Sequence, residues 1–240
     1  MNSFSDFFQN LDIWGLAGAL VTAVAALFCI TFHELSHGYV AYKLGDPTAK
    51  RAGRLTLNPI RHIDPFGLLM MIVAKVGWAK PVPVDSRYFK DPKKGMAVTA
   101  LAGPLSNFIL AFAALGVCSL LYHLPILNGE VGGVVFLVLT CFLGNVAILS
   151  VGLGLFNLIP IPPLDGSKVL YSVLPDRIYA RILHYERYIM ILVVVLTLSG
   201  VFSRPLSWLI EHTLTGLCAL TGYPEDLLYV TAYILQLLGG

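Results

Sequence analysis

The sequence predicts an all-α membrane protein, a polytopic bundle of about five to six membrane helices. Hydrophobic residues make up 57% of the 240 residues and charged residues only 12%, against roughly 25% charged residues in an average soluble domain. Such a chain has too little polar surface to cover a water-soluble globule. Several apolar stretches are suited to crossing a bilayer: residues 13–30, 97–121 and 131–159, followed by later ones at 189–202 and 227–238.

The distribution of charge predicts how the chain lies in the membrane. Of the 16 Lys and Arg residues, 11 lie between Lys43 and Lys94, and none lies between Gly95 and Ser167. By the positive-inside tendency, the segment after the first span faces the cytoplasm and the short connection at 122–130 faces outward. The net charge is only +2 and there is no basic helix, so a nucleic acid is not an expected partner.

The sequence between the first two long spans predicts irregular structure near the cytoplasmic face. Residues 53–59 and 79–84 are typical of short extended β segments, and the prolines of the second limit it to a sheet edge. Residues 65–74 are apolar but too few to cross a bilayer, which favours a re-entrant or interfacial element. Non-helical backbone at this depth must be covered by protein or line a wet cavity.

The chemistry-bearing motif is the run His33-Glu34-Leu35-Ser36-His37, at the cytoplasmic end of the first span. Residues four apart share one helix face, so His33 and His37 can point a ring nitrogen at the same cation, with Glu34 beside them to handle a proton. A catalytic zinc ion takes three protein ligands and keeps the fourth position for water. The sequence must therefore supply one more ligand.

Asp165 is the natural candidate for that third ligand. The charge distribution places the end of the later span, where Asp165 follows Pro160, Pro162 and Pro163, on the same side of the membrane as the histidines. A carboxylate in an apolar region is costly and usually functional, and a bound metal offsets its desolvation. Taken alone, Asp165 would more simply be a helix cap or a loop carboxylate.

Two sequence runs together resemble the site-2 protease family of intramembrane zinc metalloproteases, in particular its compact prokaryotic members. They are the run at 33–37 and the run Asn-Leu-Ile-Pro-Ile-Pro-Pro-Leu-Asp-Gly at 157–166, and residues 57–65, 77–84 and 102–107 also fit. The resemblance covers about residues 12–185. We expect an intramembrane metalloprotease core at 1–185, followed by C-terminal membrane or interfacial helices at 186–240, a part of the chain that the resemblance does not cover.

The resemblance also implies an activity and a site. Zn²⁺, one ion per chain, would be held by His33, His37 and Asp165, with Glu34 as the catalytic base. Asn107 would be a substrate or oxyanion contact. The implied partners are the lipid bilayer and a membrane-protein substrate with a transmembrane helix. The implied location is the cell membrane, multi-pass, with the active site toward the cytoplasm.

One departure from many relatives is visible in the sequence. Those relatives carry a peptide-binding PDZ domain between the later core spans, and the connection at 122–130 is far too short to contain one. We therefore expect no PDZ domain at that place in this chain.

Other interpretations of these residues remain open. Intramembrane His, Glu and Asp can mark the pathway of a metal ion or proton transporter, and the proline-broken run at 160–163 is similar to a discontinuous transporter helix. A structural scaffold with an inert site is a third possibility. For Asn107, Asn145 and Asn157, a hydrogen bond between helices is the simplest role, and the four cysteines form no ligand pair and are expected to be packing residues.

Overall fold

The structure is a computed structural model that describes residues 13–64, 67, 80–124 and 130–239. Its described part consists of helices and the turns between them. The helices are α1 (Ile13–Lys43), α2 (Thr48–Arg51), α3 (Pro92–Tyr122), α4 (Glu130–Asn157), α5 (Asp165–Val173), α6 (Asp176–Leu198), α7 (Ser203–Thr221) and α8 (Glu225–Gly239), with single 3₁₀ turns at Pro59–His62 and Ser86–Tyr88.

Three of the described helices are long and apolar enough to cross a membrane. They contain Ala17–Lys43, Pro92–Tyr122 and Gly132–Asn157, and correspond to the first three predicted spans. The pair formed by α6 and α7 adds a fourth only if both helices count as one span, and they are bent by 76° at their junction. The predicted number of five to six membrane helices is therefore not confirmed, because α8, which contains the predicted stretch 227–238, has only 15 residues.

The core lies where α1, α3 and α4 pack together, with α7 and α8 against them. Small side chains dominate the surface that these helices share, so their backbones can approach closely. Close packing of this kind stabilises helix association in a bilayer, where the hydrophobic effect does not drive helices together. The buried set includes Ala25, Cys29, Ala111, Ala114, Cys118, Ala147 and Cys218. All four cysteines are free and buried, as expected for packing residues.

The predicted β segments are not confirmed, since the described residues contain no strand. After α2 the chain turns at Gly53, whose φ of 65° is left-handed, and the N–H groups of Gly53 and Arg54 donate to the carbonyls of Lys50 and Ala49. These two N–H groups therefore cannot pair with a neighbouring strand. The predicted re-entrant stretch at 65–74 lies outside the described residues except for Gly67.

Residues 80–85 are extended, and one backbone hydrogen bond, from the Lys80 N–H to the His62 carbonyl at 2.9 Å, holds them together with several side chains. The Arg54 guanidinium donates from Nη2 to the Lys80 carbonyl at 2.5 Å, and the Asp85 N–H donates to Oδ2 of the fully buried Asp46 at 2.7 Å. Between these anchors, the Val82 N–H donates to Oε2 of Glu34 at 2.8 Å. The segment is therefore fastened across the C-terminal half of α1.

Candidate metal centre

The first two polar groups of the site come from one face of α1. His33 and His37 lie one turn apart, their ring centroids are 4.6 Å apart, and the ring planes are nearly perpendicular. Both residues are buried, and their Nε2 atoms are 3.0 Å apart. The helical spacing in the sequence therefore predicts this pair correctly.

Asp165 completes the group from 128 residues farther along the chain than His37. It is the first residue of α5, after a run whose prolines end the helical path of α4. Its Oδ2 lies 3.0 Å from Nε2 of His33 and 3.0 Å from Nε2 of His37. The sequence prediction that this carboxylate meets the histidine pair agrees with the geometry.

These three atoms have the spacing of a metal site. Each is 3.0 Å from the other two, and adjacent ligands of a tetrahedral zinc ion with bonds of about 2.0–2.1 Å are separated by about 3.3 Å. Among the described residues, His33, His37 and Asp165 form the group of three whose ligand atoms could hold one ion. Two neutral imidazoles and a carboxylate are also a donor set that zinc prefers, so the residues fit the ion.

Both oxygens of Asp165 have defined partners. Oδ1 accepts from Nζ of Lys168 at 3.0 Å, one turn along α5, while Oδ2 faces the histidines. Burial by itself raises the pKa of the Asp165 carboxyl, but hydrogen bonds with His33 and His37 outweigh this effect and hold the pKa below its usual range. Lys168 thus occupies one carboxylate oxygen and leaves Oδ2 to the histidine pair.

Two glycines make the close approach possible. A Cβ on Gly103 of α3 would lie 2.4 Å from Nε2 of His37 and 2.7 Å from Cε1 of His33. A Cβ on Gly166 would lie 2.2 Å from the carbonyl oxygen of Leu158. Gly166 is thus needed for close packing at the start of α5.

The site opens on a cavity of about 800 Å³. Its polar lining includes His33, Glu34, His37 and Asp165, and its apolar lining comes from α1, α4, α6 and the fastened segment at 80–85. His62 also lines the cavity and is only 2% exposed. Glu34 thus faces the same space as the three candidate ligands.

The asparagines occupy different positions. Asn145 donates to Oγ1 of Thr22 at 3.1 Å, which confirms a hydrogen bond between helices. Asn157 lines the cavity and donates to the Leu153 carbonyl of its own helix at 3.0 Å. Asn107 is fully buried behind His33, with its amide nitrogen 3.4 Å from His33 Nδ1. Its role as a substrate contact stays a prediction.

Three groups contribute to the site but are not predicted as site residues from the sequence. They are Gly103, Lys168 and the Thr99 carbonyl, which lies 2.7 Å from Nδ1 of His37. A sequence signal did exist for part of this set, because Thr99, Gly103 and Asn107 recur every four residues and so share one face of α3. That pattern indicates a polar face within an apolar span, but not what the face contacts.

Comparisons with known proteins agree with the donor set. Residues 21–200 match the model of Peptidase family M50. The candidate zinc metalloprotease YwhC of Bacillus subtilis is 42% identical over 175 residues, which cover 72% of this chain and 78% of YwhC. The candidate zinc metalloprotease Rip2 of Mycobacterium tuberculosis strain H37Rv is 30% identical over 206 residues, covering 81% of this chain and 75% of Rip2.

A third relative, the zinc metalloprotease MJ0392 of Methanocaldococcus jannaschii, is 32% identical over 158 residues, covering 64% of this chain and 35% of that protein. No solved structure matches the chain. The connection between α3 and α4 spans only residues 123–129 and has no room for a PDZ domain. The family match and the zinc-binding donor set lead to one conclusion: the chain belongs to Peptidase family M50 and is a zinc-dependent hydrolase.

Proposed function

We propose that this protein is an intramembrane metalloprotease that hydrolyses peptide bonds in or near the transmembrane segments of membrane proteins. The observation that carries the proposal is the buried group of His33, His37 and Asp165 inside a bundle of apolar helices, beside Glu34 and open to a cavity of about 800 Å³. A protease working on water-soluble substrates has no need to bury its site among helices of this kind.

In this proposal Nε2 of His33, Nε2 of His37 and Oδ2 of Asp165 hold one zinc ion per chain. When bound, the ion supplies polarisation of the scissile carbonyl and lowers the pKa of bound water toward about 7. Neighbouring residues of the protein orient the ligand atoms. Lys168 occupies Oδ1 of Asp165 at 3.0 Å and so leaves Oδ2 as the ligand atom.

Glu34 is the proposed catalytic base. Its carboxylate accepts the proton of the attacking water and delivers it to the leaving amide nitrogen, while the water oxygen bonds to the carbonyl carbon and the carbon–nitrogen bond breaks. The Val82 N–H, 2.8 Å from Oε2, fixes one carboxylate oxygen. The other oxygen, Oε1, is the one we assign to the proton transfer.

The substrate must reach the site as an extended peptide, because a helix hides its peptide bonds within its own hydrogen bonds. Residues 80–84 are extended and lie beside Glu34, and we propose that an unwound substrate pairs with this segment as an added strand. In the same cavity, Met190, Val193 and Val194 of α6 present apolar side chains. These suit the apolar residues of a transmembrane segment.

The membrane arrangement belongs to the same proposal. We infer a multi-pass protein of the cell membrane, with a protease core at 1–185 and membrane or interfacial helices at 186–240. The site lies at the cytoplasmic end of α1, because most of the basic residues follow that helix directly. Cysteine labelling from either side of sealed vesicles, at exposed Lys50 and at Tyr122, would report the orientation.

The test is cleavage of a reporter with a single transmembrane helix by the purified protein in lipid vesicles. We expect zinc-dependent cleavage by the wild type, and a loss of about 10²–10⁴-fold in Glu34→Gln, which keeps zinc because it removes no ligand. Gln is the matched change, since its amide oxygen can still accept from Val82. Full turnover by Glu34→Gln would remove Glu34 from the mechanism.

The same vesicles separate the other classes of function. Accumulation of zinc or protons in vesicles, without reporter cleavage, would favour the transporter. A protein that holds no zinc and neither cleaves nor transports would be a scaffold. Reporter cleavage without ion uptake is the result expected of the protease.

A further inference from the structure

A buried polar contact lies directly behind His33, on the side away from Asp165. Nδ1 of His33 faces the side-chain amide of Asn107, with 3.4 Å between Nδ1 and the amide nitrogen. Asn107 is 0% exposed, and its amide oxygen is buried without a hydrogen-bond partner. Buried polar atoms are nearly always paired, so this oxygen requires an explanation.

His37 shows what a metal-binding histidine needs on its far side. Its Nδ1 lies 2.7 Å from the Thr99 carbonyl oxygen. A carbonyl only accepts, so Nδ1 carries the hydrogen and donates it, which leaves the lone pair on Nε2 free for a metal. Ligating histidines commonly have such a partner, which fixes the tautomer and the ring orientation.

The same requirement applies to His33, and this step rests on the proposed ligand role of its Nε2. Nδ1 must then carry the hydrogen and needs an acceptor. The group that faces it is the Asn107 amide, whose nitrogen cannot accept but whose oxygen can. A half-turn about the Cβ–Cγ bond exchanges the two atoms, and it gives the partnerless oxygen a donor.

We propose that Asn107 is a positioning residue whose amide oxygen accepts a hydrogen bond from Nδ1–H of His33 and thereby holds that histidine in the metal-binding tautomer. One face of α3 then orients both histidines: Thr99 acts on His37, Asn107 acts on His33, and Gly103 between them lets the rings approach. Asn107 acts through His33 and does not contact the substrate in this role.

The test measures zinc affinity by chelator competition on the purified, full-length protein in detergent, with zinc alone as the probe. Asn107→Leu removes the acceptor at similar volume, and we expect zinc binding to weaken by about 10–100-fold. Asn107→Asp keeps an acceptor oxygen and should bind zinc within about 3-fold of the wild type. Asn145→Leu is the control, because it removes a partly exposed asparagine amide that donates to Thr22 of α1 and has no contact with the histidines.

The Asp variant decides between the two roles of Asn107. A substrate or oxyanion contact needs the amide N–H, so in that role Asn107→Asp would lose cleavage while neither variant changed zinc affinity. That result overturns the proposal, as does an Asn107→Asp protein that binds zinc as weakly as Asn107→Leu. If Asn107→Leu fails to fold, Asn107→Ala, which also removes the acceptor, replaces it in the comparison with Asn107→Asp, and normal zinc affinity in Asn107→Ala would overturn the proposal.

A His33→Ala protein in the same titration separates this inference from the proposed function. Normal zinc affinity in His33→Ala would overturn the ligand assignment itself. Weak binding in His33→Ala together with normal binding in Asn107→Leu would overturn only the role of Asn107. The expected result is that both variants bind zinc weakly.

Discussion

The two walls of the cavity are built in different ways. On the wall that carries the metal-binding group, α1, α3 and α5 approach so closely that a single methyl group at Gly103 would overlap the His37 ring. On a second wall, which α6 forms, the helix packs extensively against no other described helix, and Met190 and Val194 remain about two-fifths exposed. The first wall fixes atom positions, while the second provides apolar surface with few fixed contacts.

This difference indicates where the protein should tolerate amino-acid substitutions. A metal site needs its ligands held within tenths of an ångström, and close-packed backbone with paired polar groups supplies that precision. A surface for varied apolar segments needs shape and hydrophobicity but few fixed contacts. Mutations on the two walls should therefore differ in their effect on zinc binding, and the following changes test that expectation.

The largest effect should come from Gly103→Ala on the metal-binding wall. The new Cβ would lie 2.4 Å from Nε2 of His37, so either the ring or the α3 backbone must move and the ligand atoms separate. We expect zinc affinity to fall by at least about 100-fold, measured by chelator competition. Gly116→Ala on the same helix is the control, because nothing lies within 4 Å of its Cβ position.

Zinc binding by Gly103→Ala at the level of Gly116→Ala would show that the metal-binding wall is not tightly constrained. That result would contradict the claim that the metal-binding wall tolerates substitutions less well than the α6 wall. Both proteins should be checked for equal elution from a gel-filtration column, so that a folding defect is not read as a loss of ligand geometry.

A smaller effect should come from Lys168→Met. The Lys168 ammonium pairs with Oδ1 of Asp165 at 3.0 Å, but its side chain is 42% exposed, so solvent screens part of the interaction. We expect zinc affinity to fall by about 3–10-fold through loss of carboxylate orientation, with recovery in Lys168→Arg. Lys94→Met removes a more exposed ion pair with Asp91 at 3.7 Å and should leave zinc affinity unchanged.

The smallest effect should come from Val194→Ala on the α6 wall. Val194 is 39% exposed, whereas Val151 of α4 is fully buried, so truncation of Val194 removes fewer packing contacts and should leave zinc affinity unchanged and lower the thermal midpoint less than truncation of Val151 does. Val151→Ala is the contrasting change, because it leaves a cavity whose lining loses van der Waals contacts, and this should cost about 1–2 kcal/mol of folding free energy. Equal destabilisation by the two changes would contradict the described packing of α6.

The sequence was informative where local spacing determines the outcome. The i, i+4 relation of His33 and His37 places both rings on one face in any helix, and the three longest apolar stretches correspond to helices that can span a membrane. Asp165 needed a second kind of information, because only the charge distribution and the family resemblance bring it to the histidines. The structure places all three together.

Local spacing in the sequence does not predict contacts that depend on how the helices pack. That Gly103 faces the His37 ring, and that the Thr99 carbonyl faces Nδ1 of the same ring, follows from the rotation of α3 against α1. The sequence predicts residues 79–84 as an edge strand because of their prolines and β-branched residues. Buried Asp46 and Arg54 satisfy their backbone groups instead, and such partners are chosen by tertiary structure.

X-ray absorption at the zinc edge of the wild-type protein tests the central claim most directly. If His33, His37 and Asp165 hold the ion, the spectrum of a sample with one zinc per chain should show two imidazole nitrogens and oxygen ligands, all at about 2.0–2.2 Å. A thiolate sulfur at about 2.3 Å, or fewer than two imidazoles per zinc, would contradict the claim.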